Sequence, residues 1–252
     1  MTTTIQEVYE LTCDISSSQV DAQRVLSPCA LLNFMQEAAW KHSCSADYDA
    51  ERLETESSAW VVLQWHIKIL DAPKLWETVA VKTWCPKRKK MQTTRSFAVE
   101  SNGVECIQAN SVWVFFDTEK RAPKKIDDEL ANHYECNKPM PFPEPRIFKV
   151  DGTADEAHKH TTRAYQVMRS DMDTNGHVNN VKYLEWILND VPDEIYDNNV
   201  LSEMKIVYRK ECQRGDLLSL QTFVDGNVVT SHIYHSDGHK VTEFSTIWVP
   251  KN

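Results

Sequence analysis

The chain lacks most of the features that would narrow its class at once. Its 252 residues contain no apolar run near the roughly 20 residues that a membrane-spanning helix needs. The opening Met1-Thr-Thr-Thr-Ile-Gln-Glu7 has neither a basic n-region nor an apolar h-region, so no secretory signal is read there, and no Arg- and Ser-rich transit segment follows. Seven cysteines are present, but the count is odd, the spacing is irregular and none forms Cys-x-x-Cys. That pattern fits reduced thiols in a cytoplasmic protein better than a disulfide framework or a zinc site. Positive charge is scarce too. With 28 Lys and Arg against 37 Asp and Glu, the net charge of −9 argues against a nucleic-acid binder. A hydrophobic share of 41 % is ordinary for a soluble protein, and the length is ample for a sizeable core.

The basic residues that exist are clustered. Lys87, Arg88, Lys89 and Lys90 form one group; Lys120, Arg121, Lys124 and Lys125 form another. Without those eight the remainder carries −17. Two readings stand: solvated hairpin turns, or a docking patch for an acidic partner, because local potential steers encounter more than net charge does.

Periodicity fails from Ile126 to Thr161, where Pro139-Met-Pro-Phe-Pro-Glu-Pro145 cannot sit inside a helix or a central strand. Residues 126–160 are therefore expected to be a linker between an N-terminal domain (1–125) and a C-terminal one (161–252). In the first, a strand near Tyr9–Ile15 precedes a helix that starts at Ser27-Pro28, with Ser as cap and Pro at the first helical position, and runs to Lys41. Leu31, Leu32, Met35, Ala38 and Ala39 lie along it at helical spacing. Strand-like runs come next at Ala59–Leu70, Glu77–Cys85, Thr93–Glu100 and Ile107–Phe116. The second domain repeats the order: a strand at Thr162–Met168, a helix at Asn179–Asn189, then strands at Met204–Arg209, Leu217–Val224, Val229–His235 and Glu243–Val249.

Ile67–Trp84 can be laid on Ile206–Phe223 without a gap, so that Glu77 meets Asp216. Asn102-Gly103 and Trp113 likewise match Asp237-Gly238 and Trp248. Order, turns and aromatic positions together favour an internal duplication. Each unit would be a strand, one long helix and an antiparallel sheet that wraps it. The expected fold class is thus α+β, a tandem (double) hotdog with two long helices each wrapped by an antiparallel sheet.

Polar groups concentrate in Asp171-Met-Asp173-Thr-Asn175-Gly-His177-Val-Asn179-Asn180, just before the second helix. One cap needs one such side chain. Asp173, Asn175 and His177 at alternate positions are an excess. A neutral imidazole can donate or accept a hydrogen bond, which suits orienting a carbonyl or a water. A second candidate lies in Tyr208-Arg209-Lys210-Glu211-Cys212. Glu211 could be a general base, or it could simply pair with Arg209 or Arg214. Cys212 could be a rival nucleophile, or core filling.

Asn175-Gly-His177-Val-Asn-Asn-Val-Lys-Tyr183 with Trp186-Ile-Leu, together with Tyr208-Arg-Lys-Glu-Cys212, resembles the two motifs of the plant and bacterial acyl-acyl carrier protein thioesterases. Arg88 to Arg95, Trp113-Val-Phe-Phe-Asp117 and Trp248-Val-Pro are similar to the same family. The resemblance implies hydrolysis of fatty acyl-acyl carrier protein (acyl-ACP), with Asp173, Asn175, His177 and Glu211 catalytic and Cys212 as the rival. Glu211 would activate a water, Asn175 and His177 would orient the thioester, and the helix N-terminus would supply backbone N–H groups to the oxyanion. Neither a cofactor nor a metal is implied. The acidic carrier is the implied partner of the basic clusters, with no role for nucleic acid or membrane; a homodimer stays open. The missing transit segment points to a bacterial, cytoplasmic enzyme. Gly176 departs from the bulkier polar residue usual in the plant proteins, without touching the mechanism. The first domain, whose helix lacks the Asp/Asn/His set, would bind the acyl chain through Leu31, Met35, Trp40, Trp60 and Val62. The alternatives are a hotdog acyl-CoA thioesterase, a hydroxyacyl dehydratase, or a non-catalytic acyl-binding module.

Overall fold

A computed structural model describes residues 7–134, 136–143, 150 and 152–251, with the backbone alone at Lys87, His133 and Tyr134. Glu144 and Pro145 of the proline-rich stretch, and Asp151 after it, lie outside the described residues. The chain divides into two compact units, Met1–Leu63 with Ile69–Glu144, and Gln64–Lys68 with Pro145–Asn252.

The first unit runs β1 (Tyr9–Asp14), α1 (Pro28–Ser45), α2 (Ala50–Thr55), β2 (Ser58–Ile69), β3 (Thr78–Arg88), β4 (Gln92–Ser101), β5 (Val104–Asp117), β6 (Ala122–Pro123) and α3 (Asp128–Tyr134). Its strand order is β1-β3-β4-β5-β2, with β6 paired to β5. The α1 helix begins where the sequence says it should. Ser27 Oγ accepts from Ala30 N at 3.2 Å and Pro28 occupies the first turn. Leu31, Leu32, Met35, Ala38 and Ala39 are buried, and α1 lies against β1 and β3. The helix runs one turn past the expected Lys41, because His42 is buried as well: its Nδ1 meets Arg95 Nη1 at 2.9 Å and its ring stacks on Tyr9. Within 126–160 the structure has α3 and a 3-10 turn at Glu156–His158. Ile126, Leu130 and Ala131 close a core cluster with Tyr48, Leu53 and Phe115.

The second unit runs β7 (Lys159–Gln166), α4 (Asn180–Leu188), α5 (Asp193–Asn198), β8 (Asn199–Tyr208), β9 (Leu217–Asp225), β10 (Val228–His235) and β11 (Lys240–Pro250). Its order is β7-β9-β10-β11-β8, the same pattern as in the first unit. Gln64–Lys68 count with it because they run antiparallel along β8, from Gln64 opposite Val207 to Lys68 opposite Glu203. Val181, Leu184 and Ile187 bury the inner face of α4.

The duplication extends to individual hydrogen bonds. Ile15 N donates to Glu77 O at 2.9 Å, and Val167 N donates to Asp216 O at 2.9 Å. Glu77 Oε2 accepts from Lys74 N at 3.0 Å, and Asp216 Oδ2 accepts from Gln213 N at 2.8 Å. Trp113 Nε1 donates to Ser111 Oγ at 2.7 Å, and Trp248 Nε1 to Thr246 Oγ1 at 3.0 Å. The pairings of Lys74 and Glu77 with Gln213 and Asp216, and of Trp113 with Trp248, match the alignment of the two halves read from sequence; that of Ile15 with Val167 extends it. Two hotdog units in tandem are the fold.

Candidate active site

The loop before α4 is built by Asp173. Its Oδ1 accepts from Asn175 N at 2.8 Å and from His177 N at 3.1 Å, while its own N–H donates to His177 O at 2.7 Å. Gly176 turns the chain at φ 79° with open space around its Cα. Val178 N then donates to Cys212 O at 2.9 Å, which ties this loop to the Glu211 segment. Asn179 caps α4 through Val181 N.

That tie brings two of the expected residues into contact. His177 Nε2 lies 2.9 Å from Glu211 Oε2, with the two side chains 29 % and 52 % exposed. Arg209, one of the two partners the blander reading offered Glu211, pairs with Glu243 at 2.9 Å. The Asn175 side chain is exposed, and its carboxamide makes no hydrogen bond among the described residues. It is left available for a ligand beside the His177–Glu211 pair.

Cys212 has a different environment. It is 1 % exposed, burial pushes its thiol up, and the neighbouring Tyr183 hydroxyl only partly offsets this. A nucleophilic cysteine needs its thiolate. This one is held as the thiol, and its backbone carbonyl does the structural work. Much of the backbone that the helix N-terminus would offer to an oxyanion is already engaged. The N–H groups of Asn175, Gly176, His177, Val178, Asn179, Val181 and Lys182 are already bonded within the loop or to Cys212 and Asp171.

The first unit contains the same loop without the chemistry. Asp21 Oδ1 accepts from Gln23 N at 2.8 Å and from Val25 N at 3.3 Å, and Asp21 N donates to Val25 O at 3.0 Å. Arg24 sits at φ 64° where Gly176 sits in the second unit, and Leu26 N donates to Pro73 O as Val178 N does to Cys212 O. Asp21, Gln23, Val25 and Ala72 thus stand where Asp173, Asn175, His177 and Glu211 stand. The aspartate, expected to be missing from the first half, is present there. What the first unit lacks is the imidazole and the carboxylate; at the position of Asn175 it carries the longer amide of Gln23. The sequence alone hid this, because Asp21 precedes the helix by several residues and no motif flags it.

The other predicted residues fall in the first unit. Leu31, Met35 and Val62 are buried, and Trp60 packs on the cluster around Phe115. Trp40 is 42 % exposed, on the outer side of α1. The two basic clusters adjoin: Ile126 N donates to Lys90 O and Phe115 N to Met91 O. Arg88 pairs with Asp128, Lys120 with Asp117, and Lys124 donates to Ser58 Oγ, whereas Lys90, Arg121 and Lys125 are exposed.

Comparison with known proteins gives one consistent result. The family described as "Acyl-ACP thioesterase N-terminal domain" matches residues 6–134, and "Acyl-ACP thioesterase C-terminal domain" matches residues 154–250. A palmitoyl-acyl carrier protein thioesterase, chloroplastic, of Cuphea hookeriana is 30 % identical over 97 % of this chain and 63 % of its own length. The chain therefore spans somewhat less than two thirds of that relative. An oleoyl-acyl carrier protein thioesterase of Arabidopsis thaliana is 26 % identical over 91 % of this chain and 68 % of its own. Among solved structures, the 12:0-ACP thioesterase of Umbellularia californica superposes with a TM-score of 0.86 at 27 % identity, covering 98 % of each chain. An acyl-ACP thioesterase from Bacteroides thetaiotaomicron reaches 0.86 at 24 % identity, covering 96 % of this chain and 98 % of its own.

Proposed function

The chain belongs to the acyl-ACP thioesterase family, and from that premise we propose that it hydrolyses fatty acyl-ACP to free fatty acid and holo-ACP. The observation that carries the reading is the contact of His177 Nε2 with Glu211 Oε2 at 2.9 Å, on a loop whose copy in the first unit has valine and alanine instead. A carboxylate beside an imidazole can take a proton from water and return it. In this reading Glu211 deprotonates a water whose oxygen attacks the thioester carbon. The C–S bond then breaks, and the same proton reaches the departing sulfur through the His177–Glu211 pair. Asn175 holds the carbonyl with its carboxamide, and Asp173 fixes the backbone that carries both Asn175 and His177.

The first unit (Met1–Leu63 with Ile69–Glu144) takes the binding role in this proposal. Leu31, Met35, Trp60 and Val62 are candidates to line the acyl site; the exposed Trp40 no longer is. The adjoining basic clusters, Lys87 to Lys90 and Lys120 to Lys125, would receive the acidic carrier. A bacterial, cytoplasmic setting is the finer reading; its reducing compartment is supported by the seven cysteines, all of them free. Among the described residues no helix is long and apolar enough to cross a membrane.

The test is hydrolysis of a panel of acyl-ACPs and the matching acyl-CoAs, read as released fatty acid. Glu211→Gln and His177→Ala should each lower kcat by about 10²–10⁴-fold. Full activity in Glu211→Gln would overturn the mechanism. Equal turnover of acyl-CoA would move the substrate away from the carrier, and formation of an enoyl product would make the enzyme a dehydratase.

A further inference from the structure

Away from the catalytic loop, the turn between β10 and β11 gathers His235, Asp237 and His239. One ligating atom from each lies within 4.8 Å of the others, and no other trio of His, Cys, Asp or Glu among the described residues does so. His235 Nδ1 is 3.2 Å from Asp237 Oδ1, and His239 Nδ1 contacts the same oxygen. The two imidazoles stack 4.8 Å apart, 12° from parallel.

The arrangement has a direction. His235 Nδ1 lies 3.3 Å from Asp237 N and 3.2 Å from Asp237 Oδ1, so this nitrogen faces into the turn. Nε2 faces Asp216 Oδ2 at 3.7 Å. A histidine that ligates through one nitrogen and points the other at a carboxylate is the usual state of a metal-bound imidazole. Donors about 2.0–2.2 Å from one ion stand roughly 3–3.5 Å apart. The His235–Asp237 separation already meets this. His239 sits nearer the carboxylate and would swing outward, which its partly exposed position allows.

The duplicated hairpin shows that the fold does not require these groups. In the first unit Ser101 and Val104 flank a two-residue turn, Asn102-Gly103, and Glu77, the counterpart of Asp216, accepts from Ser101 Oγ at 2.9 Å. The second unit keeps the carboxylate, widens the turn and adds two imidazoles.

We propose that the β10–β11 hairpin binds a divalent transition-metal ion of the zinc, nickel and copper class through His235 Nδ1, Asp237 and His239 Nδ1, with Asp216 orienting His235. Imidazole with carboxylate selects this class over magnesium or calcium. The site is separate from the His177–Glu211 pair, yet Asp216 also caps Gln213, two residues from Glu211.

Calorimetric titration of the tag-free protein with Zn²⁺ tests the proposal. One saturable equivalent is expected, weakened at least tenfold in His235→Ala and in His239→Ala, by about tenfold in Asp216→Asn, and unchanged in His158→Ala. X-ray absorption of the wild-type zinc complex should show nitrogen and oxygen donors only, which keeps the test open if a hairpin variant unfolds. Absence of saturable binding, wild-type affinity in both histidine variants, or a sulfur shell at about 2.3 Å would each overturn it.

Discussion

Glu211 stands half in solvent against His177, while Cys212, the next residue, is sealed beneath α4 with the Tyr183 hydroxyl beside it. The residues alone brought both to notice as rivals, and only the family resemblance favoured Glu211, because their roles depend on which side of one peptide faces the core. Cys212→Ser is accordingly expected to retain most thioesterase activity, and iodoacetamide should leave the folded wild type active. A dead Cys212→Ser enzyme with an intact fold would reverse the assignment. Another residue matters for acid stability. Burial, reinforced by Lys240, pushes His232 down to about 4. The unfolded chain takes up this proton near pH 6.5 and the folded one does not, so acid favours unfolding between those values. The contribution is present above pH 6.5, is lost as pH falls through the window, and stops changing below about 4. With screening of a partly exposed ring it amounts to about 1–2 kcal/mol. Melting curves from pH 7 to 4.5 should show His232→Gln losing less stability than the wild type.

At the level of elements, the long pieces were legible and the short ones were not. Strands β2 to β5 and β8 to β11 announce themselves by alternation, and α1 by its Ser27-Pro28 start. The six-residue helices α2 and α5 are too short to display a period, and α3 falls within the stretch where prolines dominate the reading. The extra turn of α1 escaped because His42 and Ser43 are polar and buried. The paired loops permit a controlled experiment. Asp21→Ala and Asp173→Ala each remove two backbone N–H partners, at a cost of about 1–3 kcal/mol. Both should lower the melting temperature, and only Asp173→Ala should also lower kcat. Equal loss of activity in the two would mean that Asp173 acts through stability alone. A second comparison concerns the turns before β3 and β9. Trp76 has φ 73° and is 73 % exposed, while its counterpart Gly215 has φ 93°. Left-handed backbone costs a non-glycine residue about 1 kcal/mol or more. Trp76→Gly should therefore raise stability in chemical denaturation; a clear loss would show that the indole has an unrecognised packing role.

For the molecule as a whole, charge and duplication set the behaviour. A net charge of −9 with adjoining basic turns predicts carrier binding that weakens steeply with salt. Reversing Lys90, Arg121 and Lys125 to glutamate should raise KM for acyl-ACP several-fold with kcat little changed, and should abolish the salt dependence. An unaltered KM would place docking elsewhere. The copied loop also bears on the history of the chain. Asp21 still has a backbone to hold, whereas positions 23, 25 and 72 answer to no chemistry. Across descendants of the same duplication, Asp21 should therefore persist about as faithfully as Asp173, while Gln23, Val25 and Ala72 drift: one copy is free to vary wherever the other is under constraint.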